Sequence, residues 1–393
     1  MAKKNTPAGG VSRRQFIKAG AAGITSLCLA GAVSGCSTPE GKEGEESQAG
    51  GAKKGFVRPE ASPWFSSLED GSIQCELCPR ECRLAPGQRA PCRVRENRGG
   101  KAYTLAYGNP ALVQDDPIER KPFYHVMPGS RALSISTAGC NLACKFCEVW
   151  DMALVAPEEV HAYDMPPETV VAHALAAGIP SISFAFGEPV VFYEYTADIA
   201  SLAGEAGLKN LIHTAGYIQR KPLEGLVEKL DAANVDLKSF DPAFYRDVVG
   251  GELQPVLDTL KLLRRAGIHI EITNILIPTL NDHMDGVKNM CEWIAGELGP
   301  EVPLHFARFY PLYRLSALPR TPVSTLEEAR DTALAAGLKF VYIAKLTGHE
   351  AENTFCPGCG EKVIERVGFV VSKISLEKGS CRYCGRPIPG RWS

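Results

Sequence analysis

The sequence carries almost no net charge. Its 43 Lys and Arg residues stand against 45 Asp and Glu, a formal charge of -2. It therefore lacks the basic excess that marks a nucleic-acid surface, and no nucleic-acid partner is expected. It also lacks an apolar run suited to crossing a bilayer: the uncharged stretch 19–35 is too rich in glycine and alanine to make a good span. At 393 residues the chain can hold one large core and a satellite module, since single cores stop growing at about 250–300 residues. What the sequence has in quantity is cysteine. Of the 14 cysteines, eleven fall into three compact groups, and only Cys28, Cys36 and Cys291 stand apart. Disulfides tend to join cysteines distant in sequence, whereas C-x2-C and C-x3-C spacings let several thiolates converge, so the pattern argues for metal ligation.

Residues 11–18 read VSRRQFIK ahead of the stretch 19–35, a basic n-region before a moderately apolar h-region. The paired Arg13 and Arg14, flanked by Ser12, Phe16 and Lys18, resemble a twin-arginine export signal. Val33-Ser34-Gly35-Cys36 resembles a lipobox, in which Cys36 becomes the lipidated first residue of the mature chain. Residues 1–36 are then an address. They imply an exported lipoprotein, membrane-anchored by lipid and facing the periplasm or exterior, with a cytoplasmic protein as the alternative. Cys28 lies in the removed part. Residues 37–63, with Gly, Glu and Ser prominent at their start, read as a flexible tether.

Residues 64–125 open polar and turn-rich and carry Cys75, Cys78, Cys82 and Cys92. Beyond Arg131 the texture changes: short β-branched or aromatic runs alternate with amphipathic stretches, the mark of repeated βα units. Strands are predicted over 132–136, 181–186, 210–214, 234–238, 269–277, 304–309 and 340–344, and helices over segments such as 167–177 and 256–266. Polar residues gather at the strand C-termini: Glu188, His213, Asp236, Lys238 and Asn274. Barrel-type sheets build their sites on that rim. The expected fold is α/β, a partial (β/α) barrel over 126–346, with small cysteine-rich metal modules at 64–125 and 347–393. Cys291, beside Trp293 in a helical stretch, reads as a buried small apolar side chain.

Residues 137–150 read TAGCNLACKFCEVW, so Cys140, Cys144 and Cys147 form C-x3-C-x2-C directly after the first barrel strand. No His or Cys follows closely, and a structural zinc wants four protein ligands. Three thiolates on one loop suit a cubane [4Fe–4S] cluster with its fourth iron open. With Phe146 before the third cysteine, the loop resembles the motif of the radical S-adenosylmethionine (SAM) superfamily. The resemblance implies that the open iron chelates SAM and that reductive cleavage gives a 5′-deoxyadenosyl radical, which takes hydrogen from a substrate. Phe146 would shield the cluster or pack near the adenine. Gly187-Glu188-Pro189 occupies the place of the family's G-G-E-like motif, which holds the SAM amino group; Phe186 replaces its first glycine. Asp236-Leu237-Lys238 looks like the D-x-K of glycyl-radical activating enzymes, which reaches SAM, and His305 resembles a histidine near the same ligand.

The stretches ECRLAPGQRAPCRVREN at 81–97, NVDLKSF at 234–240, ARFYP at 307–311 and TGHEAENTFCPGCG at 347–360 narrow the resemblance. They are similar to the AmmeMemoRadiSam system radical SAM enzymes, close to the pyruvate formate-lyase-activating enzymes. The resemblance covers about residues 70–390. It implies a low-potential electron donor, an unidentified substrate (small molecule or protein) and AmmeMemo-type partner proteins. The chain departs from that branch twice: a typical member has Asn-Glu-Pro at 187–189 and Cys-Gln-Asn-Trp at 147–150. Twin-arginine export suits a protein whose cluster is built in the reducing cytoplasm, although SAM and the donor are cytoplasmic commodities.

Cys356-Pro-Gly-Cys359-Gly and Cys381-Arg-Tyr-Cys384-Gly are paired knuckles, each with a glycine for the tight turn. Four such cysteines point to a tetrahedral zinc or a rubredoxin-like iron, and two disulfides are the alternative. Cys75, Cys78, Cys82 and Cys92 suit zinc or an auxiliary [4Fe–4S] cluster, again with disulfides as the alternative. The function expected is an oxidoreductase that cleaves SAM reductively. The rivals are a glycyl-radical activase, a non-catalytic iron–sulfur electron-transfer or metal-storage lipoprotein, and a structural zinc protein. The lipoprotein reading has no use for Glu188, Asp236 and Lys238, and the three-ligand set Cys140, Cys144 and Cys147 disfavours a structural zinc protein.

Overall fold

A computed structural model describes residues 51–393. The signal-like residues 1–36, with Cys28 and Cys36, and the first part of the tether segment lie outside the described residues. The segment's described part carries two short strands, Lys53–Lys54 and Glu60–Ala61, which pair with His161–Ala162 and Lys101–Thr104. Among the described residues no helix is long and apolar enough to cross a membrane.

The fold is α/β, centred on an eight-stranded sheet. Its strands are β1 (Leu112–Pro117), β2 (Arg131–Ser136), β3 (Ser181–Phe184), β4 (Lys209–Thr214), β5 (Ala232–Asp236), β6 (His269–Leu276), β7 (Leu304–Arg308) and β8 (Val341–Ala344). They lie side by side in sequence order. β1 runs antiparallel to β2, and β2 to β8 are mutually parallel. Helices Pro167–Ala176, Tyr193–Glu205, Arg220–Val227, Leu253–Arg265, Met284–Trp293 and Val323–Ala335 fall between successive parallel strands, as parallel connection requires. The sheet is open, since β1 and β8 each have one pairing neighbour. β1 escapes the sequence pattern because LVQDDP is half polar and ends in proline, as edge strands do.

Side chains alternate across a strand, so register assigns faces. Ser134, Ser183, His213, Asn234, Asp236, Glu271, Thr273 and His305 fall on one face, and apolar residues such as Ile135, Ile182, Ile212, Val235, Ile272 and Phe306 on the other. The apolar face belongs to the main core, with Val170, Ile199, Leu260 and Met290 from the helices. At about 25 cal/mol per Å² of apolar area, that burial is what holds the helices to the sheet. The polar face is left to surround a cavity.

The C-terminal residues build a hairpin, Lys362–Val367 and Val370–Ile374, above the two cysteine knuckles. Val363, Ile364 and Ile388 share a small core with Tyr124, Phe340 and Tyr342. The module is thus sewn to the sheet by aromatic side chains. His125 joins the seam: one ring nitrogen meets the Pro389 carbonyl at 2.6 Å and the other the Tyr342 hydroxyl at 2.6 Å. Neutral imidazole satisfies both contacts, and burial holds its pKa down to about 3.

Candidate active site and metal centres

The parallel strands end around one cavity of about 320 Å³. The loop after β2 contributes Cys140, Cys144, Phe146 and Cys147. The turn after β3 gives Phe186, Gly187 and Glu188, and the ends of β4 and β5 give His213, Thr214, Asp236 and Lys238. This is where parallel α/β sheets place their sites.

The cysteine loop is fixed from several sides. The Asn141 amide donates to the Tyr217 carbonyl at 2.7 Å, and the Ala143 and Lys145 amides donate to Val249 and Val248 at 2.9 Å each. The Leu142 amide points at the Cys140 sulfur, 3.4 Å away. All three thiols are free. Burial pushes each of them up, Cys147 to about 11, so a cation at the site is what would hold them as thiolates. No three of them with another Cys, His, Asp or Glu converge within 4.8 Å. Three thiols facing one cavity without a fourth close donor fit a cluster with one open iron.

Opposite the thiols sits Glu188, 4% exposed. Its carboxylate accepts from the Thr214 hydroxyl at 2.6 Å, the Ala215 amide at 2.8 Å and the Val190 amide at 3.1 Å. Burial pushes its pKa up against these three donors. Gly187 is tightly placed: a Cβ there would stand 2.3 Å from the Ser136 hydroxyl, to which the Gly187 amide donates at 2.9 Å. Phe186 adopts φ +71°, the left-handed region that favours glycine. Its ring offsets that cost by receiving two cations, Lys121 at 4.1 Å and Arg120 at 5.4 Å from the centroid.

Asp236 and Lys238 make an ion pair at 2.8 Å, and the other Asp236 oxygen meets His213 Nε2 at 2.9 Å. Burial would raise the carboxyl, but Lys238 and His213 outweigh it and hold the pKa well below the ordinary range. Lys238 shifts upward because Asp236 and Cys144 overcome its desolvation. One ammonium donor serves Asp236, so others remain for a ligand. The Lys238 ammonium also stands 5.8 Å from the centre of the Phe146 ring.

The fold does not bring every named residue to the cavity. Pro189 is the first residue of the short helical turn that Glu188 caps, and Asn274 donates to the Leu237 carbonyl at 2.7 Å, on the sheet's other face. His305 is fully buried in a network below the cavity, its Nε2 2.6 Å from Glu271 and its ring stacked on Tyr342. Burial would raise the Glu271 carboxyl, but His269 and His305 hold it well below its ordinary range. Cys291 is buried as expected. Sequence reasoning missed Thr214, Lys121 and the hairpin tip at Gly368 and Phe369, all of which line the cavity. It also missed the role of Glu148, whose two oxygens meet Lys345 at 2.6 Å each at the cavity wall. Trp150, from the same divergent stretch, stacks on Tyr313 with centroids 5.3 Å apart. Alternation along β4 would put Thr214 on the apolar face with Ile212, and it reaches the cavity only because it ends the strand beside Glu188; the others come from distant elements.

The second centre differs in kind. Among the described residues, Cys356, Cys359, Cys381 and Cys384 are the one set of potential ligands whose donor atoms all lie within 4.8 Å. Cys356 and Cys384 sulfurs are 3.6 Å apart, and those of Cys359 and Cys381 3.7 Å. A tetrahedral ion with bonds of about 2.3 Å sets its sulfurs about 3.8 Å apart. The two knuckles repeat one geometry: the Cys356 and Cys381 amides donate to Glu361 and Arg386 at 2.8 Å, and Gly360 and Gly385 both take φ +76°. All four are free thiols, so the disulfide alternative is not what the structure shows.

Residues 134–293 match the radical SAM superfamily. An uncharacterized protein of Methanocaldococcus jannaschii is 40% identical over 327 residues, which cover 83% of this chain and 97% of that protein. The pyruvate formate-lyase-activating enzyme of Clostridium pasteurianum is 26% identical over 171 residues, 42% of this chain and 70% of that enzyme. Among solved structures, a radical SAM methyltransferase from Sphaerobacter thermophilus superposes with a TM-score of 0.45 and 16% identity, over 74% of this chain and 77% of that one.

Proposed function

We propose that this chain, which belongs to the radical SAM superfamily, cleaves SAM reductively and abstracts hydrogen from a substrate admitted to the cavity. The observation that carries the reading is the open ligand set. Cys140, Cys144 and Cys147 face a cavity that also holds Glu188 and the Asp236–Lys238 pair. When bound, the cluster and SAM supply a one-electron reduction of the sulfonium and a carbon-centred radical. The chain's own residues bind and orient. Glu188, pinned by three donors, presents a fixed acceptor to an amino group. Lys238 offers its spare donors to an anionic or hydroxyl group, with Asp236 keeping it charged. Phe146 and Leu142 exclude water beside the thiols. The curved, partial-barrel form of the sheet, the lipid anchor at Cys36 with export, and AmmeMemo-type partners belong to the same reading. For the C-terminal four, zinc is the metal we favour.

A glycyl-radical activase is the second reading, favoured by Asp236-x-Lys238 and the similarity to an activating enzyme. The test of the first is direct. Anaerobically reconstituted, dithionite-reduced protein should release 5′-deoxyadenosine from SAM, and Cys144→Ala should not. No product from the unaltered protein, or equal product from the variant, would sink it.

A further inference from the structure

The N-terminal cysteines are gathered by two turns. The hairpin of Ile73–Cys75 and Arg83–Leu84 pairs Ile73 with Leu84 and Gln74 with Arg83, which sets Cys75 opposite Cys82. The Cys75 amide donates to the Cys82 carbonyl at 2.9 Å, and the Cys78 carbonyl accepts from Glu81 at 3.1 Å in the turn between them. Cys92 comes from a second turn, closed by Arg93 donating to Ala90 at 2.8 Å with Arg93 at φ +72°. Cys75, Cys78 and Cys92 are buried, Cys82 is half-buried, and all are free.

Spacing separates a single ion from a cluster. One ion draws four sulfurs to about 3.8 Å, as at the C-terminal knuckles. No three of the N-terminal thiols lie within 4.8 Å of one another, and the same holds for Cys140, Cys144 and Cys147. A cubane binds each thiolate to a different iron, so its sulfurs stand wider. A buried cation lies beside the set. Arg95 is 1% exposed, and its guanidinium donates to Glu194 at 2.5 Å, Ser62 at 3.2 Å and the Val191 carbonyl at 2.9 Å. Its Nε is buried with no partner, and its charge reaches Cys75 and Cys92. Any four-thiolate centre, one ion or a cubane, carries net negative charge that a buried cation offsets, so Arg95 marks a metal centre while the spacing of the thiols chooses the cluster.

The set also abuts the loop of the candidate active site. A Cβ on Gly139, which precedes Cys140, would stand 2.7 Å from the Cys92 carbonyl oxygen. Arg80, two residues past Cys78, donates to the carbonyls of Asn141 and Gly250. We propose that Cys75, Cys78, Cys82 and Cys92 hold an auxiliary, fully ligated [4Fe–4S] cluster that feeds single electrons to the site at Cys140, Cys144 and Cys147. The electron acceptor rests on the function proposed above. A one-electron donor of the ferredoxin or flavodoxin class reduces the auxiliary cluster, with Cys82 the solvent-facing edge. That cluster is reoxidised by one electron as the triad's cluster is reduced by one, and no bond or proton moves.

The test uses the full chain, reconstituted with iron and sulfide without oxygen. Iron, zinc and electron paramagnetic resonance (EPR) are read for the unaltered protein, a Cys140→Ala/Cys144→Ala/Cys147→Ala variant and a Cys78→Ser/Cys92→Ser variant. The unaltered protein should hold about eight irons and each variant about four. The triple variant's reduced signal should ignore SAM, and the double variant's should respond to it. With both clusters reduced, spin–spin broadening should appear in the unaltered protein and vanish in both variants. A triple variant with no iron and an added zinc overturns the proposal, and so does eight-iron protein without broadening. Should the double variant fail to fold, the triple variant alone decides. If SAM perturbs no signal although the triple variant keeps four irons, the auxiliary cluster stands and the function proposed for the triad falls.

Discussion

Two cysteine regions of this chain use the same side chain for opposite ends. At Cys356, Cys359, Cys381 and Cys384 four sulfurs close on one point through two copies of one turn, and no ligand position is left over. At Cys140, Cys144 and Cys147 three thiols spread along one loop and face a cavity walled by Glu188, Asp236 and Lys238. A closed set around one redox-inert ion such as zinc contributes folding energy and position. An open set beside fixed polar groups can bind something that reacts. Ligand number and what lies opposite the ligands, not cysteine itself, divide structure from chemistry here.

The largest expected effect breaks the closed set. Cys356→Ser with Cys381→Ser should release the metal and expose residues 347–393 to limited proteolysis. Structural zinc contributes about 10–16 kcal/mol of apparent binding energy in small folds, and this module's own core is small. Cys144→Ala should leave that region protected. Equal protease sensitivity in both variants would erase the distinction.

Next comes the wall of the open set. Glu188→Gln should weaken SAM binding, measured by equilibrium titration, by about ten- to a hundredfold, the scale of one hydrogen bond to a charged group at about 1.5–3 kcal/mol. The fold should persist, because the Gln oxygen can keep the Thr214 and Val190 donors on one side and only the Ala215 amide loses its acceptor. Unchanged affinity would remove Glu188 from the site.

Phe186→Gly tests a smaller balance. Relief of the left-handed backbone, about 1–3 kcal/mol, opposes loss of the Lys121 and Arg120 contacts, about 0.5–2 kcal/mol. Thermal melting should move little in either direction, and a large loss of stability would show that the ring, not the backbone, governs the turn.

The smallest effect concerns the seam. His125 has a folded pKa of about 3, held down by burial, against 6.5 unfolded. The unfolded chain therefore binds the extra proton between those values, and stability is lost as pH falls from about 6.5 towards 3. Hydrogen-exchange protection factors at residues 387–392 should fall at pH 5 relative to pH 7.5, and His125→Gln should flatten that difference. A pH response unaltered by the substitution would place the titration elsewhere.

The parallel strands were legible because each is a short apolar run bounded by turns, and predicted 269–277 became His269–Leu276. The predicted 181–186 stopped at Phe184, since Phe186 turns left-handed, which a spacing pattern does not show. The site residues that were legible sit at strand ends or in short spacings. His305 was placed by resemblance, and the structure sends it to Glu271 instead, because register puts it under the cavity among buried histidines and tyrosines. Phe369 was invisible because its approach to the cavity depends on how the C-terminal hairpin docks, and Lys345, directly after β8, because its partner Glu148 lies 197 residues away in sequence.

The most direct measurement is the EPR spectrum of the reduced full-length protein before and after adding SAM. An open iron at Cys140, Cys144 and Cys147 should give a signal that SAM shifts and that Cys144→Ala abolishes, with Cys356→Ser leaving the shift in place. A reduced cluster whose spectrum SAM leaves unchanged would contradict the open-set reading.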